Sequence, residues 1–204
     1  MIIGICGKKY HGKNTISDYL VEKYNFREVT FSEPLKECCR ILFGFSQEQL
    51  FGGKKEEIDP RWNTSPRKAL QFFGTDVCRK YITNLLPDID DNFWIKCIMV
   101  KINDILKENP QQNIVISDVR FQNEIDKLNE MTKMTTIKGY SIKVVRPTIQ
   151  MIDEHESEKN IDKLAGVNYE IINDSTKNKL YDKIDKLMEE KILNNNKFGF
   201  ACSH

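Results

Sequence analysis

Gly7-Lys8-Lys9-Tyr10-His11-Gly12-Lys13-Asn14-Thr15 is the stretch of this chain whose residue types and spacing can do chemistry. Gly7 and Gly12 allow the backbone to turn so that its N–H groups converge on an anion. Lys13 adds an ammonium, and a helix starting there adds the positive end of its dipole. The combination is a phosphate cradle of the G-x-x-x-x-G-K-[ST] kind, with Asn14 where the hydroxyl residue belongs and Thr15 one position later. The flanks agree. The apolar run Met1–Cys6 reads as a buried strand, and Ile16, Tyr19 and Leu20 recur at helical spacing behind the loop. A glycine turn in a lysine-rich surface loop would explain the lysines, but not both glycines at this spacing directly after a strand.

Other residues gain weight from how cations are used. Lysine and arginine together number 31, yet only Arg27, Arg40, Arg61, Arg67, Arg79, Arg120 and Arg146 are arginines. A planar guanidinium matches a phosphate bidentately, so scarce arginines inside motif-like segments are candidate phosphate contacts. Asp118 ends an apolar run and is expected at the carboxyl edge of a sheet, either holding a hard cation through water or capping the next helix. Arg120 reads as a phosphate contact or a surface ion pair. Arg67 and Arg79 share one predicted helix, and Gln71 and Thr75 follow Arg67 at i+4 and i+8. Lys36 is a third candidate cation. Phe72, Phe73 and Trp94 read as core or as platforms for a base, and Asn173 as a turn residue or a base contact.

These groups need a scaffold. Strands are expected near 2–6, 28–31, 113–117, 138–146 and 168–172. Helices are expected near 13–24, from an N-cap at Ser32, at 66–82, 92–108, 121–131 and 176–193. Residues 44–64 read as loop and 147–166 as a polar connection. Apolar strands alternating with helices predict an α/β fold: a mostly parallel sheet with helices on both faces, in one domain over 1–193. Residues 194–204 read as a loose tail.

Behind the phosphate loop come, in order, Phe31-Ser-Glu-Pro-Leu-Lys36, Thr64-Ser-Pro-Arg67, Leu70-Gln-Phe-Phe-Gly-Thr-Asp76, Arg79, Phe93-Trp94, Asp118-Val-Arg-Phe-Gln-Asn-Glu124, His155-Glu-Ser-Glu158 and Asn173-Asp174. With this ordered set, residues 1–193 resemble the deoxynucleoside monophosphate kinases of phages and large DNA viruses. The resemblance implies a P-loop kinase fold with a lid at about 147–166, and transfer of the ATP γ-phosphoryl group to a deoxynucleoside 5′-monophosphate with Mg²⁺. Lys13, Asp118 and Arg120 would be catalytic. Gly7, Lys8, Lys9, Gly12, Lys13, Asn14, Thr15, Arg146 and Asn173 would bind ATP, with Thr15, Asn14 and Asp118 facing the metal. Lys36, Arg67, Gln71, Thr75, Arg79, Trp94 and Arg120 would hold the acceptor. The family often has Asp where this chain has Asn14, and the 147–166 segment has no arginine, leaving Arg146 and nearby lysines as lid cations. In the family setting the protein would work in the cytoplasm, of the host cell if viral, and as a homodimer or alone.

Composition trims the alternatives. A net charge of +1 gives no basic field for nucleic acid, and no run approaches the ~20 apolar residues of a membrane span. Six cysteines without metal spacing and no signal-like N-terminus indicate a reducing, intracellular compartment. The rivals are a P-loop kinase with a hydroxyl acceptor, of the phosphomevalonate type, which would use Asp118 as a base; a binding module that has lost catalysis; and an ATPase stimulated by nucleic acid.

Overall fold

The strand Ile2–Cys6 is buried along its whole length, as a central parallel strand must be. In a computed structural model describing residues 1–86, 88–89, 92–133, 137–149 and 159–193, the elements follow as β1 (Ile2–Cys6), α1 (Lys13–Tyr24), β2 (Phe26–Val29), α2 (Ser32–Phe43), α3 (Gln47–Phe51), α4 (Pro66–Gln71), a π-helical stretch (Phe72–Tyr81), α5 (Ile82–Leu85), α6 (Phe93–Glu108), β3 (Asn113–Val119), α7 (Gln122–Lys133), β4 (Gly139–Val145), β5 (Tyr169–Ile172) and α8 (Lys177–Leu187). Short 3₁₀ turns lie at Gly53–Lys55 and Asn160–Lys163, and a second π stretch, Met188–Leu193, extends α8. The expected tail at 194–204 and the part of the lid at 150–158, with His155, lie outside the described residues.

The chain forms two compact units. The first comprises Met1–Glu28 and the described residues from Gln112 onward. Its sheet runs β2-β3-β1-β4-β5. β1 pairs in parallel with β3 and β4, and β4 with β5. One face of the sheet, with Ile3, Ile5, Val115, Ile142 and Val144, packs on Ile16 and Leu20 of α1 and Leu180 and Ile184 of α8. On the other face Leu128 of α7 lies over Gly4. The expected mostly parallel sheet with helices on both faces is therefore what the chain builds.

α8 is fastened to α1 by one carboxylate. Asp185 accepts from Tyr19 Oη (2.9 Å), Tyr24 Oη (2.8 Å) and Lys23 Nζ (2.7 Å), while Tyr19 stacks on Tyr181 at 3.8 Å.

The second unit, Val29–Gln111, has its own core of Cys39, Phe45, Leu50 and Ala69, with Leu35, Phe43, Leu70 and Phe73 against it. Three expectations change between residues 26 and 64. The second strand starts at Phe26 rather than 28, bringing Phe26 itself into the core of the first unit. Ser32 does not cap α2; its hydroxyl donates to Thr30 Oγ1 and it forms the first residue of the helix. The 44–64 loop contains α3, held by a reciprocal capping box between Ser46 and Gln49. The same loop is pinned by buried Asp59, which accepts from Gln49 Nε2 and from the backbone and guanidinium of Arg61; the Arg61 fork holds the Asp59 carboxyl well below the usual range.

Candidate active site

Every candidate in the first unit comes off the carboxyl end of a parallel strand. β1 leads into the phosphate loop, β3 ends at Val119, β4 at Val145 and β5 at Ile172. The chain leaves β1 toward β2 at one edge of the sheet and leaves its neighbour β4 toward β5 at the other, and such a reversal between adjacent strands is where open α/β sheets form a ligand crevice.

The loop is tightly wound. Gly7 has φ 152°, Gly12 φ 106° and Tyr10 φ 66°. A side chain at Gly7 would strike Val144 O at 2.6 Å, and one at Gly12 would strike Asn173 Nδ2 at 2.7 Å, so glycine is required at both. Lys13 opens α1 behind Gly12, and its Nζ donates to Gly7 O (2.7 Å) and Lys8 O (3.0 Å), which holds the ammonium across the mouth of the loop. Lys8, read as a phosphate cation or a solvated residue, pairs with Asp162 at 2.6 Å; Lys9 Nζ lies 5.1 Å from the Tyr10 ring centre. Asn14 is exposed and Thr15 half-buried in the first turn of α1. Burial pushes the Cys6 thiol, at the end of β1, up to about 11, so it stays protonated at neutral pH and offers no nucleophile beside the loop.

Asp118 is the penultimate residue of β3, at the carboxyl edge as expected. β3 carries an irregularity there: Gly4 pairs with Ile116 but Cys6 with Val119, one residue too many on β3. Such bulges re-aim a side chain out of strict alternation. Asp118 stands four residues ahead of α7, and the turn between them is held by Glu124, buried, whose Oε2 accepts from the N–H groups of Arg120 (2.7 Å) and Phe121 (3.1 Å). Arg120 thus has its backbone fixed directly after the bulge.

On the other side of the loop, residues from β4, β5 and the Asn160–Lys163 turn enclose a cleft of about 490 Å³, with Lys8, His11, Arg146, Ile161, Asp162 and Glu170 among its walls. Arg146 is half-buried at its rim. Asn173 is buried and donates from Nδ2 to His11 O (3.0 Å), while its backbone N–H donates to Val145 O (2.7 Å). Its amide nitrogen thus braces the phosphate loop, a job the sequence reading did not give it.

In the second unit, α4 begins behind the Ser65 cap with Pro66 in its first turn, and then widens. The Ile82 N–H donates to Val77 O, five residues back, which is π-helical bonding. This changes the angular arithmetic. An α-helix turns about 100° per residue and a π-helix roughly 80°, so Arg67 and Arg79 are separated by roughly three full turns instead of about 3.3. Arg67, Gln71, Thr75 and Arg79 therefore share one stripe. Thr75 is buried and the other three half-buried. Arg67 pairs through Nε with Glu56. Lys36 Nζ sits 4.5 Å from the Phe51 ring centre. Trp94 is a correction to the base-platform reading: its ring is buried and its Nε1 donates to Gly74 O (2.9 Å), so it packs α6 on the π stretch. Phe72 goes the other way and is 53% exposed.

The donors available to a metal are the Asn14 amide oxygen, the Thr15 hydroxyl and the Asp118 carboxylate, an all-oxygen set that suits a hard cation such as Mg²⁺. Among the described residues no group of three or more His, Cys, Asp or Glu side chains could hold an ion alone. A cation here would draw most of its ligands from phosphate oxygens and water. Asn14→Asp restores a charge at that position and is expected to lower the Mg²⁺ concentration needed for half-maximal turnover. A Mg²⁺ titration of both proteins checks this, and an unchanged midpoint would remove position 14 from the metal site.

Among described residues no helix is long and apolar enough to cross a membrane.

Comparison with known proteins fits this geometry. The profile of the deoxynucleotide monophosphate kinase family matches residues 47–184. A candidate deoxynucleotide monophosphate kinase of Acanthamoeba polyphaga mimivirus is 37% identical over 187 residues, covering 90% of this chain and 94% of that protein. In fold, the chain is similar to the dephospho-CoA kinase of Campylobacter jejuni, with TM-score 0.54, 14% identity, and coverage of 95% of this chain and 98% of that one.

Proposed function

Because the chain belongs to the deoxynucleotide monophosphate kinase family, and is thereby a nucleotide kinase, we propose that it transfers the γ-phosphoryl group of ATP to a deoxynucleoside 5′-monophosphate, giving the diphosphate. The observation that carries the acceptor assignment is the stripe of Arg67, Gln71, Thr75 and Arg79. Two guanidinium groups with a carboxamide and a hydroxyl between them suit a phosphate attached to a sugar and base.

Phosphoryl transfer asks the protein for position and charge rather than covalent help. The attacking atom is a phosphate oxygen, already ionised near neutral pH, so no base is needed. Lys13 and the loop N–H groups neutralise the transferring group and its neighbour, with Gly7, Lys8, Lys9 and Gly12 forming the cradle. Arg120 adds charge from the β3 end, and Arg146 does so from the β4 end. Mg²⁺, when bound, would draw charge from the phosphates; Asp118, Asn14 and Thr15 are the residues to hold it. Lys36, Arg67 and Arg79 fix the acceptor phosphate, Gln71 and Thr75 its sugar or base.

A coupled ADP-release assay across the common ribo- and deoxyribonucleoside monophosphates tests the reaction. Turnover on one or more deoxynucleotides is expected; turnover on none, in protein that binds ATP, would replace the proposal with a hydroxyl-acceptor kinase or a binding module. Arg67→Ala and Arg79→Ala are each expected to weaken acceptor binding by about 1.5–3 kcal/mol, the worth of a hydrogen bond to a charged group. Replacing the exposed Glu56 contact of Arg67 with a phosphate costs little, since surface ion pairs contribute about 0–1 kcal/mol. Initial-rate kinetics with both substrates varied would show the acceptor KM raised and the ATP KM nearly constant; the reverse pattern would move these arginines to the donor site.

A further inference from the structure

His11 lies in the middle of the phosphate loop, where a side chain would ordinarily face solvent, yet it is only 7% exposed. Its Nδ1 stands 3.2 Å from the Arg146 N–H and 3.3 Å from Val144 O. These two contacts demand opposite protonation of the same atom. The Arg146 amide can only donate, so its approach requires an unprotonated Nδ1 with the ring proton on Nε2. The imidazole then accepts from the first residue after β4, the residue that also opens the next turn by accepting from Ile149 N at 3.1 Å.

A tie at this point has work to do. Tyr10, beside His11, has φ 66°, a left-handed conformation that is unfavourable for a non-glycine residue. Strained backbone persists only where its surroundings over-determine it. The tie of the His11 carbonyl to Asn173 fixes the loop to β5, and the imidazole fixes it to β4.

We propose that His11 is a positioning residue: its neutral imidazole, accepting the Arg146 N–H at Nδ1, locks the phosphate loop to the end of β4 and sets the loop in its phosphate-binding shape. The loop then pays no ordering penalty when phosphate arrives. His11 touches no reacting atom in this scheme. The proposal rests on the loop being an ATP site and not on the identity of the acceptor.

Three measurements test it. Long-range ¹H–¹⁵N NMR at mildly alkaline pH should find His11 with Nδ1 unprotonated. Calorimetry with ATP should show His11→Leu, which keeps the bulk but removes the acceptor, binding about tenfold more weakly, as expected for an amide left without its partner. His11→Asn places an oxygen close to the Nδ1 position and should recover most of the affinity. A proton on Nδ1, undiminished ATP binding by His11→Leu, or an Asn variant no better than Leu would each overturn the proposal. If His11→Leu does not fold, the tautomer and the Asn variant still decide. Wild-type protein that fails to bind ATP would instead bring down the phosphate-loop reading itself, and His11 with it.

Discussion

Lys13→Ala is expected to lower turnover by about 10²–10³-fold, the usual cost of removing one preorganised charge-stabilising donor from a transition state. The ammonium is the only side-chain charge carried by the Gly12-Lys13 pair of the loop, and it is already drawn over the loop mouth by Gly7 O and Lys8 O. A half-buried side chain on the first turn of α1 contributes little to the core, so melting temperature should barely change. Because the interaction strengthens as charge develops, kcat should fall more than KM for ATP rises. Near-normal kcat in folded Lys13→Ala would remove the loop from the chemistry.

The largest expected stability effect lies far from the chemistry, at Asp185. Asp185→Ala removes the acceptor shared by Tyr19, Tyr24 and Lys23, and is expected to cost about 3 kcal/mol, since hydrogen bonds to a charged group are worth about 1.5–3 kcal/mol and these are partly solvated. For a protein of this size that is a fall in Tm of about 6–12 °C. The effect should depend on pH in a definite direction. Burial pushes the Asp185 carboxyl up, but the bonds from Lys23, Tyr24 and Tyr19 together outweigh it, and its folded value lies below the usual one. A depressed carboxyl stabilises fully above its unfolded value of about 3.9 and loses that contribution as pH falls through the folded value. The Tm gap between wild type and Asp185→Asn should therefore be constant from neutral pH down to about 5 and close below about 4. A gap independent of pH would mean that packing, rather than the ionised carboxylate, holds α8 to α1.

What could be read from the sequence follows from the range of the forces involved. The phosphate loop was legible because two glycines, a lysine and a helix start act within nine residues, and β1 was legible because a strand covered on both faces is apolar throughout. The capping box at Ser46 and Gln49 was equally local and could have revealed α3 inside the supposed loop. Other features had no local signal. His11 became a loop tie only because Arg146, just past the end of β4 and 135 residues later, lies beside it. Asn173 and Glu124 acquired their roles the same way, from backbone groups brought to them by the sheet and the turn after β3. Trp94 illustrates the converse: an aromatic at helical spacing suits a core and a base platform equally until its N–H partner, Gly74 O, is known.

The wide helix of Phe72–Tyr81 carries a lesson in counting. A π-helix is an α-helix that has absorbed a surplus residue. Deleting one residue between Phe72 and Tyr81 would let the segment settle into α geometry with no loop shortened, and would turn everything beyond the deletion by roughly 80°, because eight steps of about 100° replace nine of roughly 80°. Arg79, Lys80 and Tyr81 would then present themselves to different neighbours while Arg67 stayed where it was. A one-residue gap falling here, when any other sequence is laid against this one, therefore records a change in what the helix displays, and residue-for-residue equivalence between the two ends of the segment cannot be assumed across it.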